Sequence, residues 1–355
     1  MPIYSPGSKN SGFGVSARTR PRTSKRKILA DTWYADGIQN AEKLQNSIPR
    51  RLLTFIERHP MSRAITFSVV GLRSDVVVTT AFEPAATLCI VLYGLLGLRK
   101  LVLLEYIVHP PKKRRGFQHW GFLIYRQILL KRCLISAQVL TDQEVINCAR
   151  SHRIPKERFI FIKWPHRFDD TPTPPLNMGR HVVASGRRTD WRTFFAAAEG
   201  SDWDITVVCT KEDLPLVRAL ANGRPRIRSE ISAQEHQREV NSATVYVIPI
   251  KETGASIGQI RVMNANQGGV PLVASDVTGL RGYVDNSSAA LVPPDDPIAL
   301  RDAVDDLLSS PAQRERLRNA AESDGYTMAA YLNEVSTMVN NARTLESPQR
   351  VERSS

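Results

Sequence analysis

The sequence predicts an α/β protein built from two Rossmann-like, doubly wound domains that face each other across a cleft. Three observations carry this. A length of 355 residues suits two domains, each long enough to bury its own core. From Lys27 onward, short β-branched runs alternate with helix-period segments, the pattern of parallel sheets wrapped by helices. A proline-rich stretch without periodicity, residues 165–179 (PHRFDDTPTPPLNMG), divides that alternation in two.

The expected domains follow. Residues 1–26 are basic, rich in Gly, Pro and Ser, and read as a disordered tail. Residues 27–164 form the first domain. Strands are expected at 28–34, 75–80, 101–106, 138–141 and 159–164, and helices at 38–58, 84–98, 119–133 and 143–152. Asp75–Thr80 (DVVVTT) is a continuous β-branched run, as in a strand covered on both faces. After the linker, residues 180–345 form the second domain, and 346–355 a second disordered tail. Its strands are expected at 181–185, 205–209, 226–231, 244–250, 272–275 and 290–292. Helices fall at 190–199, 212–221, 233–242, 257–267, 297–308 and from Pro311 onward. Asp295-Asp296-Pro297 is a helix start with Pro at the first helical position.

Charge and composition narrow the function classes. The net charge of +13 is uneven: residues 1–178 hold 28 Lys and Arg against 12 Asp and Glu, and the remainder 20 against 23. The first half is therefore the half suited to an anionic partner. No helix-turn-helix, zinc-finger or RNP-like signature accompanies that charge, so nucleic acid is not the expected partner. Cys89, Cys133, Cys148 and Cys209 make no ligand-spaced set, consistent with a reduced, cytoplasmic compartment and no zinc site. No signal peptide is visible. The longest apolar run, Leu88 to Leu98, is 11 residues, against roughly 20 for a membrane-spanning helix.

The most informative stretch is 243–275, ATVYVIPIKETGASIGQIRVMNANQGGVPLVAS. It reads as strand, glycine-containing loop, helix and strand, the unit that offers free backbone N–H groups and a positive helix end to an anion. Ser256 is the expected N-cap, and Gly258 allows close backbone approach. Read this way the stretch is a phosphate-binding turn; an ordinary crossover with a glycine in its loop is the alternative.

The second half also resembles a known pattern. Val270-Pro-Leu-Val-Ala-Ser-Asp276, Val292-Pro-Pro-Asp-Asp-Pro297 and Ser185-Gly-Arg-Arg-Thr-Asp-Trp191 resemble the nucleotide-sugar domain of GT-B glycosyltransferases of the family 4-like group. The Ser-x-Gly-Gln turn at Ser256–Gln259 is similar to the phosphate loop of one subgroup. The resemblance implies a glycosyltransferase that binds a nucleoside-diphosphate sugar as co-substrate, without metal or other cofactor, with retention of configuration as the expected outcome. It implies that Gly186, Arg187 and Arg188, with the amides around Gly258 and Gln259, hold the diphosphate, where charge grows as the glycosidic bond breaks.

Two family Glu positions are occupied here by Ser256 and Asn264; Asn264 can still bond a ribose hydroxyl, and Glu252, four residues before Ser256, is read either as the catalytic replacement for the first Glu or as an exposed loop acid. The Lys that usually follows the Gly-Arg loop is absent, with Asp190-Trp191-Arg192 in its place. These departures make a catalytically inactive GT-B scaffold the alternative, with a basic nucleic-acid-binding protein as a third reading. In the first domain, the family's His near the fourth strand points to His109 as a catalytic residue that bonds the reacting sugar or, with inversion, acts as base, with Glu105 beside it on the acceptor side; a loop histidine before Pro-Pro is the alternative. Lys112, Lys113, Arg114 and Arg115, followed by the amphipathic segment 119–133, read as a surface for anionic lipid, or as an ordinary Rossmann helix with its basic residues in water. The acceptor is then expected to be a saccharide, a glycolipid or a lipid-linked glycan, met at the inner face of a membrane.

Overall fold

The computed structural model describes residues 27–30, 33–49, 56, 59–107, 120–121, 123–166, 173–323 and 325–342. Both tails, the loop bearing His109 and Lys112–Arg115, and the middle of the linker lie outside the described residues.

Two six-stranded sheets organise the chain, and every strand pairing in them is parallel. The first runs in the order β2-β1-β3-β4-β5-β6, from β1 (Ile28–Ala30), β2 (Ala41–Lys43), β3 (Val76–Thr80), β4 (Leu101–Leu104), β5 (Leu134–Val139) and β6 (Phe159–Phe161). Its strands are buried on both faces. Val77, Leu101 and Leu103 point into one core, while Val76, Val78, Val102 and Leu104 point into another. That alternation is the two-residue period of a pleated strand.

Helices α1 (Pro60–Val70), α2 (Pro84–Leu96), α3 (Ile124–Leu130, π-helical, with a last turn Lys131–Cys133) and α4 (Asp142–His152) cover the first of these faces. The second sheet runs β12-β11-β10-β7-β8-β9. It comprises β7 (His181–Ser185), β8 (Asp204–Cys209), β9 (Arg226–Ser229), β10 (Val245–Ile248), β11 (Leu272–Ser275) and β12 (Ala290–Val292). Around it lie α5 (Trp191–Ala198), α6 (Leu214–Leu220), α7 (Ala233–Asn241), α8 (Gln259–Gly268), α9 (Pro297–Ser309) and α10 (Pro311–Ser323).

Four expectations are corrected. The helix expected over 38–58 does not begin at 38. Ala41–Lys43 pairs with β1 as an edge strand and a 3-10 turn follows at Leu44–Asn46; of the remainder, residues 50–55, 57 and 58 lie outside the described residues, Ile56 is helical, and α1 follows from Pro60. The strand expected at 138–141 starts at Leu134, directly after Cys133, and Thr141 instead caps α4 by accepting from the Glu144 amide. Gly258, at φ 102°, is the N-cap of α8, not Ser256. The last helix, α11 (Met328–Asn341), belongs with the first domain rather than the second. Tyr331, Val335, Met338 and Val339 pack with Val76, Val78 and Val102, so the chain returns to close the open face of the first sheet.

One buried titratable group in this domain makes a measurable statement. His152 is fully buried at the end of α4, with Nε2 2.7 Å from the Tyr106 hydroxyl and Nδ1 2.7 Å from the Cys148 carbonyl. Burial first, and then the nearby Arg126 charge, push its pKa down to about 4, from an ordinary value of about 6.5. The unfolded chain therefore binds the proton more readily, and this contribution to stability is present above about pH 6.5 and lost as the pH falls toward about 4. Denaturant titrations across that window are expected to show a steeper acid loss in the wild type than in His152→Gln.

Candidate active site at the carboxyl ends of the strands

In open parallel sheets, ligands bind outside the carboxyl ends of the strands, and the sequence-predicted residues of the second domain gather there. The turn after β7 carries Gly186, Arg187, Arg188, Thr189 and Asp190. Gly186 (φ 104°) and Arg188 (φ 57°) are left-handed, and the Arg187 and Arg188 residues are exposed. The Asp190 amide donates to the Pro249 carbonyl at 2.7 Å, which ties this turn to the loop after β10. From that loop Lys251 reaches Asp295 at 2.7 Å and Asp190 at 3.5 Å. Arg188, Thr189, Asp190, Trp191, Lys251 and Thr253 line a cavity of about 440 Å³ here, closed by Arg192 and Leu216. A larger depression, about 580 Å³, lies around Ala198–Gly200 and Ala219–Arg224 near the amino end of β8, away from these loops.

A residue that the sequence reading missed holds this turn in place. Arg261, in the first turn of α8, is almost wholly buried. Its Nη1 donates to the Ser185 carbonyl at 2.8 Å and to Thr189 Oγ1 at 2.9 Å. A Cβ on Gly186 would sit 2.7 Å from Arg261 Cδ, so only glycine lets the turn lie on the arginine stem. Beside it the Ser185 hydroxyl meets Tyr246 Oη and, at 2.7 Å, His236 Nε2. Burial, then the Arg261 charge, lowers the His236 pKa. The only signal in the sequence was a lone cation on an otherwise uncharged helix, QIRVMNANQG, which looks like a solvated side chain until the helix is placed.

The other predicted donor-side residues are placed as follows. The Glu252 carboxylate accepts from the Gly254 amide at 2.7 Å, the Thr278 amide at 2.8 Å and the Thr278 hydroxyl at 2.9 Å. Partial burial alone would raise its pKa, but these donors outweigh it and hold the carboxyl below its usual range. Both oxygens are thus engaged in shaping the loop. Gln259 is buried and donates from Nε2 to the Gly279 carbonyl at 2.6 Å. Asn264 is buried between α7 and α8, where its Nδ2 approaches His236 Nδ1 at 3.4 Å. Ser256 is buried, and its hydroxyl has no hydrogen-bond partner among the described residues.

On the first domain, Glu105 ends β4 in a left-handed conformation, φ 53°. Its carboxylate accepts from the Tyr34 hydroxyl, and its amide donates to Gln138 Oε1 at 3.2 Å. Tyr331 of α11 joins them through its hydroxyl, 3.3 Å from Gln138 Oε1. Burial raises the Glu105 carboxyl pKa, partly offset by the Tyr34 hydrogen bond.

Residues 181–310 match the family model described as glycosyl transferases group 1. The second domain is a group 1 glycosyltransferase domain. The resemblance seen in the sequence is thereby confirmed, and the enzyme class of the chain is glycosyltransferase. No curated protein sequence matches the chain significantly. Solved structures match the whole GT-B architecture. A glycosyltransferase from Rickettsia africae aligns with TM-score 0.61 at 13% identity, covering 90% of this chain and 98% of that one. Anabaena Alr3699/HepE aligns in its UDP complex with TM-score 0.64 at 11% identity (89% and 100% covered), and in its UDP-glucose complex with TM-score 0.63 at 11% (91% and 100%).

The glycosyltransferase domain is not held by the linker alone. Glu144, only 4% exposed on α4 of the first domain, accepts from its own Leu140 amide at 3.1 Å and, across the cleft, from the Ser256 amide at 3.1 Å. One turn further along, Asn147 Nδ2 donates to the Gly254 carbonyl at 3.2 Å. Next to them Leu140 and Trp164 pack with Met263 and Tyr283 of the glycosyltransferase domain. The loop that opens α8 is therefore shaped from both sides. Losing the carboxylate takes this acceptor from both the Leu140 and the Ser256 amides, at a cost of about 1–3 kcal/mol for each buried donor left unpaired. Steady-state kinetics with Glu144→Ala are expected to show a roughly tenfold rise in KM for the sugar donor. Hydrogen exchange at the Ser256 amide, followed without substrate, is expected to accelerate in parallel.

Proposed function

We propose that the chain transfers a sugar from a nucleoside-diphosphate sugar, with UDP as the first nucleotide to test, to an acceptor hydroxyl. The acceptor class that suits the basic first domain is a saccharide or a lipid-linked glycan of cell-envelope or exopolysaccharide type, presented at the inner face of a membrane. The observation that carries the reading is the cavity that Arg188 and Lys251 line at the strand ends of the group 1 domain, beside the exposed Arg187, on a turn shaped by Gly186 and Arg261. The UDP and UDP-glucose bound to Anabaena HepE support the choice of nucleotide.

In this reaction the acceptor oxygen forms a bond to the anomeric carbon as the bond from that carbon to the diphosphate oxygen breaks. The acceptor proton leaves with the departing phosphate, the route that retention implies. Fixed cations placed where charge develops lower the barrier without reorganising. Arg187, Arg188 and Lys251 supply that charge, so the reaction is proposed to need neither a divalent cation nor another cofactor. Lys251 takes the part of the Lys missing after the Gly-Arg turn. Glu252, read from the sequence as catalytic, is proposed instead to act through the loop it braces. Glu105 is proposed to face the acceptor, with His109 beside it in sequence.

Thermal unfolding with UDP, GDP, ADP and CDP in EDTA tests this. A nucleotide at 100 times its Kd stabilises by about 2.7 kcal/mol. UDP is expected to raise the melting temperature of the wild type and to lose most of that effect in Arg187→Ala. A wild type that responds to none of the four would overturn the reading, and an inverted product anomer by NMR would overturn retention.

A further inference from the structure

The outer surface of the first domain is apolar where a Rossmann domain ordinarily meets water. Helices α1, α2 and α3 lie side by side on one face of the sheet, α1 against α2 and α2 against α3. Their inner sides fill the core, and their outer sides are also apolar. On α1, Met61, Ile65 and Val69 repeat every four residues and are all exposed, a spacing that puts them in one stripe. Ile124 and Ile128 do the same along α3, and Trp120, a helical residue just before α3, continues that spacing and is 67% exposed. Between these stripes α2 presents Leu95 and Leu96. Ten large apolar side chains lie exposed on these helices and the turn after α1, where scattered single residues would be unremarkable but a continuous patch marks a contact surface.

Charge identifies what the surface meets. The segments 60–70, 84–96 and 120–133 contain no Asp or Glu. Exposed cations stand where the three helices end, Arg73 after α1, Arg99 after α2, and Lys131 and Arg132 in the last turn of α3. An apolar field with a cationic edge and no acid suits an anionic bilayer, with side chains among the acyl chains and Lys or Arg at the headgroups. A second copy on the same face would bring two cationic edges together, which like-charge repulsion disfavours. No helix among the described residues is long and apolar enough to cross a membrane, so the contact is with the surface.

We propose that the α1–α2–α3 face docks this protein on an anionic membrane surface. The helices follow parallel strands, so their amino ends lie at the carboxyl ends of the sheet, where the cleft opens. Phe82, 69% exposed in the turn before α2, lies at that rim. Docking therefore sets the mouth of the cleft at headgroup level, where a lipid-linked acceptor would be presented. The inference concerns the first domain and stands whichever nucleotide the second domain binds.

The test is flotation with vesicles of phosphatidylglycerol and phosphatidylcholine in equal parts, compared with phosphatidylcholine alone. The wild type is expected to float with the anionic vesicles and much less with the neutral ones. The triple variant Ile65→Glu, Leu95→Glu, Ile124→Glu is expected to lose roughly tenfold or more of that binding, with an unchanged unfolding profile. Should that variant fold poorly, Trp120 serves instead: bromine-labelled anionic lipid is expected to quench a fluorescence component that Trp120→Phe lacks. Wild type left unbound by anionic vesicles at low salt would overturn the proposal. So would a wild-type dimer that the triple variant converts to monomer, which would assign the face to a second copy.

Discussion

The turn after β7 depends on one buried cation. Arg261 lies under the turn after β7 with its guanidinium on the Ser185 carbonyl and the Thr189 hydroxyl. Burial disfavours its charged form, with the nearby Tyr246 acting the other way. A buried guanidinium is tolerated when its donors are used, and here Nη1 binds the Ser185 carbonyl and the Thr189 hydroxyl on either side of Arg187 and Arg188. Gly186 completes the fit by leaving room for the arginine stem. Two exposed cations thus sit on a turn that is fastened from beneath by a third, almost wholly buried.

The same logic links the domains. The loop between β10 and α8 is fastened on its own side by Glu252, through Gly254 and Thr278, and on the far side by Glu144, through the Ser256 amide. Both are carboxylates accepting backbone N–H groups, strong bonds because the acceptor is charged. Meanwhile α11 leaves the second domain and packs on the first sheet, where Tyr331 stacks on Trp164 with ring centres 5.8 Å apart. Tyr331 also joins the Tyr34, Gln138 and Glu105 cluster. Glu105 and its neighbours are therefore held partly by the last helix of the chain, and the loop between β10 and α8 partly by the first domain.

How much of this was legible can be argued residue by residue. β7 and β12 occupy the bounds their β-branched runs indicate, because both are short apolar runs ended by turn residues. β2 was not legible: Ala41-Glu42-Lys43 is a partly exposed edge strand with no apolar run to announce it. α1 was passed over although Pro60 stands at its first position, because its outward side is as apolar as its inward side and the amphipathic contrast is missing. Gly186, Arg187 and Arg188 could be found from the Gly-Arg-Arg run after a strand. Arg261 and Glu144 could not, since a lone Arg on a helix and a Glu in a first helical turn are ordinary surface residues until their neighbours are known.

By itself the sequence determined the two parallel α/β domains, the cationic turn and the glycosyltransferase family of the second half, because strand alternation, turn glycines and local motifs are written within a few residues of one another. Tertiary structure alone decided which sheet α11 covers, which cation lies beneath the turn and which carboxylates fasten the loop between β10 and α8. Those contacts join residues far apart in the chain, Ser185 to Arg261, Glu144 to Ser256 and Tyr34 to Tyr331. An apolar or charged side chain states what it needs to meet, but only the folded arrangement states which partner meets it.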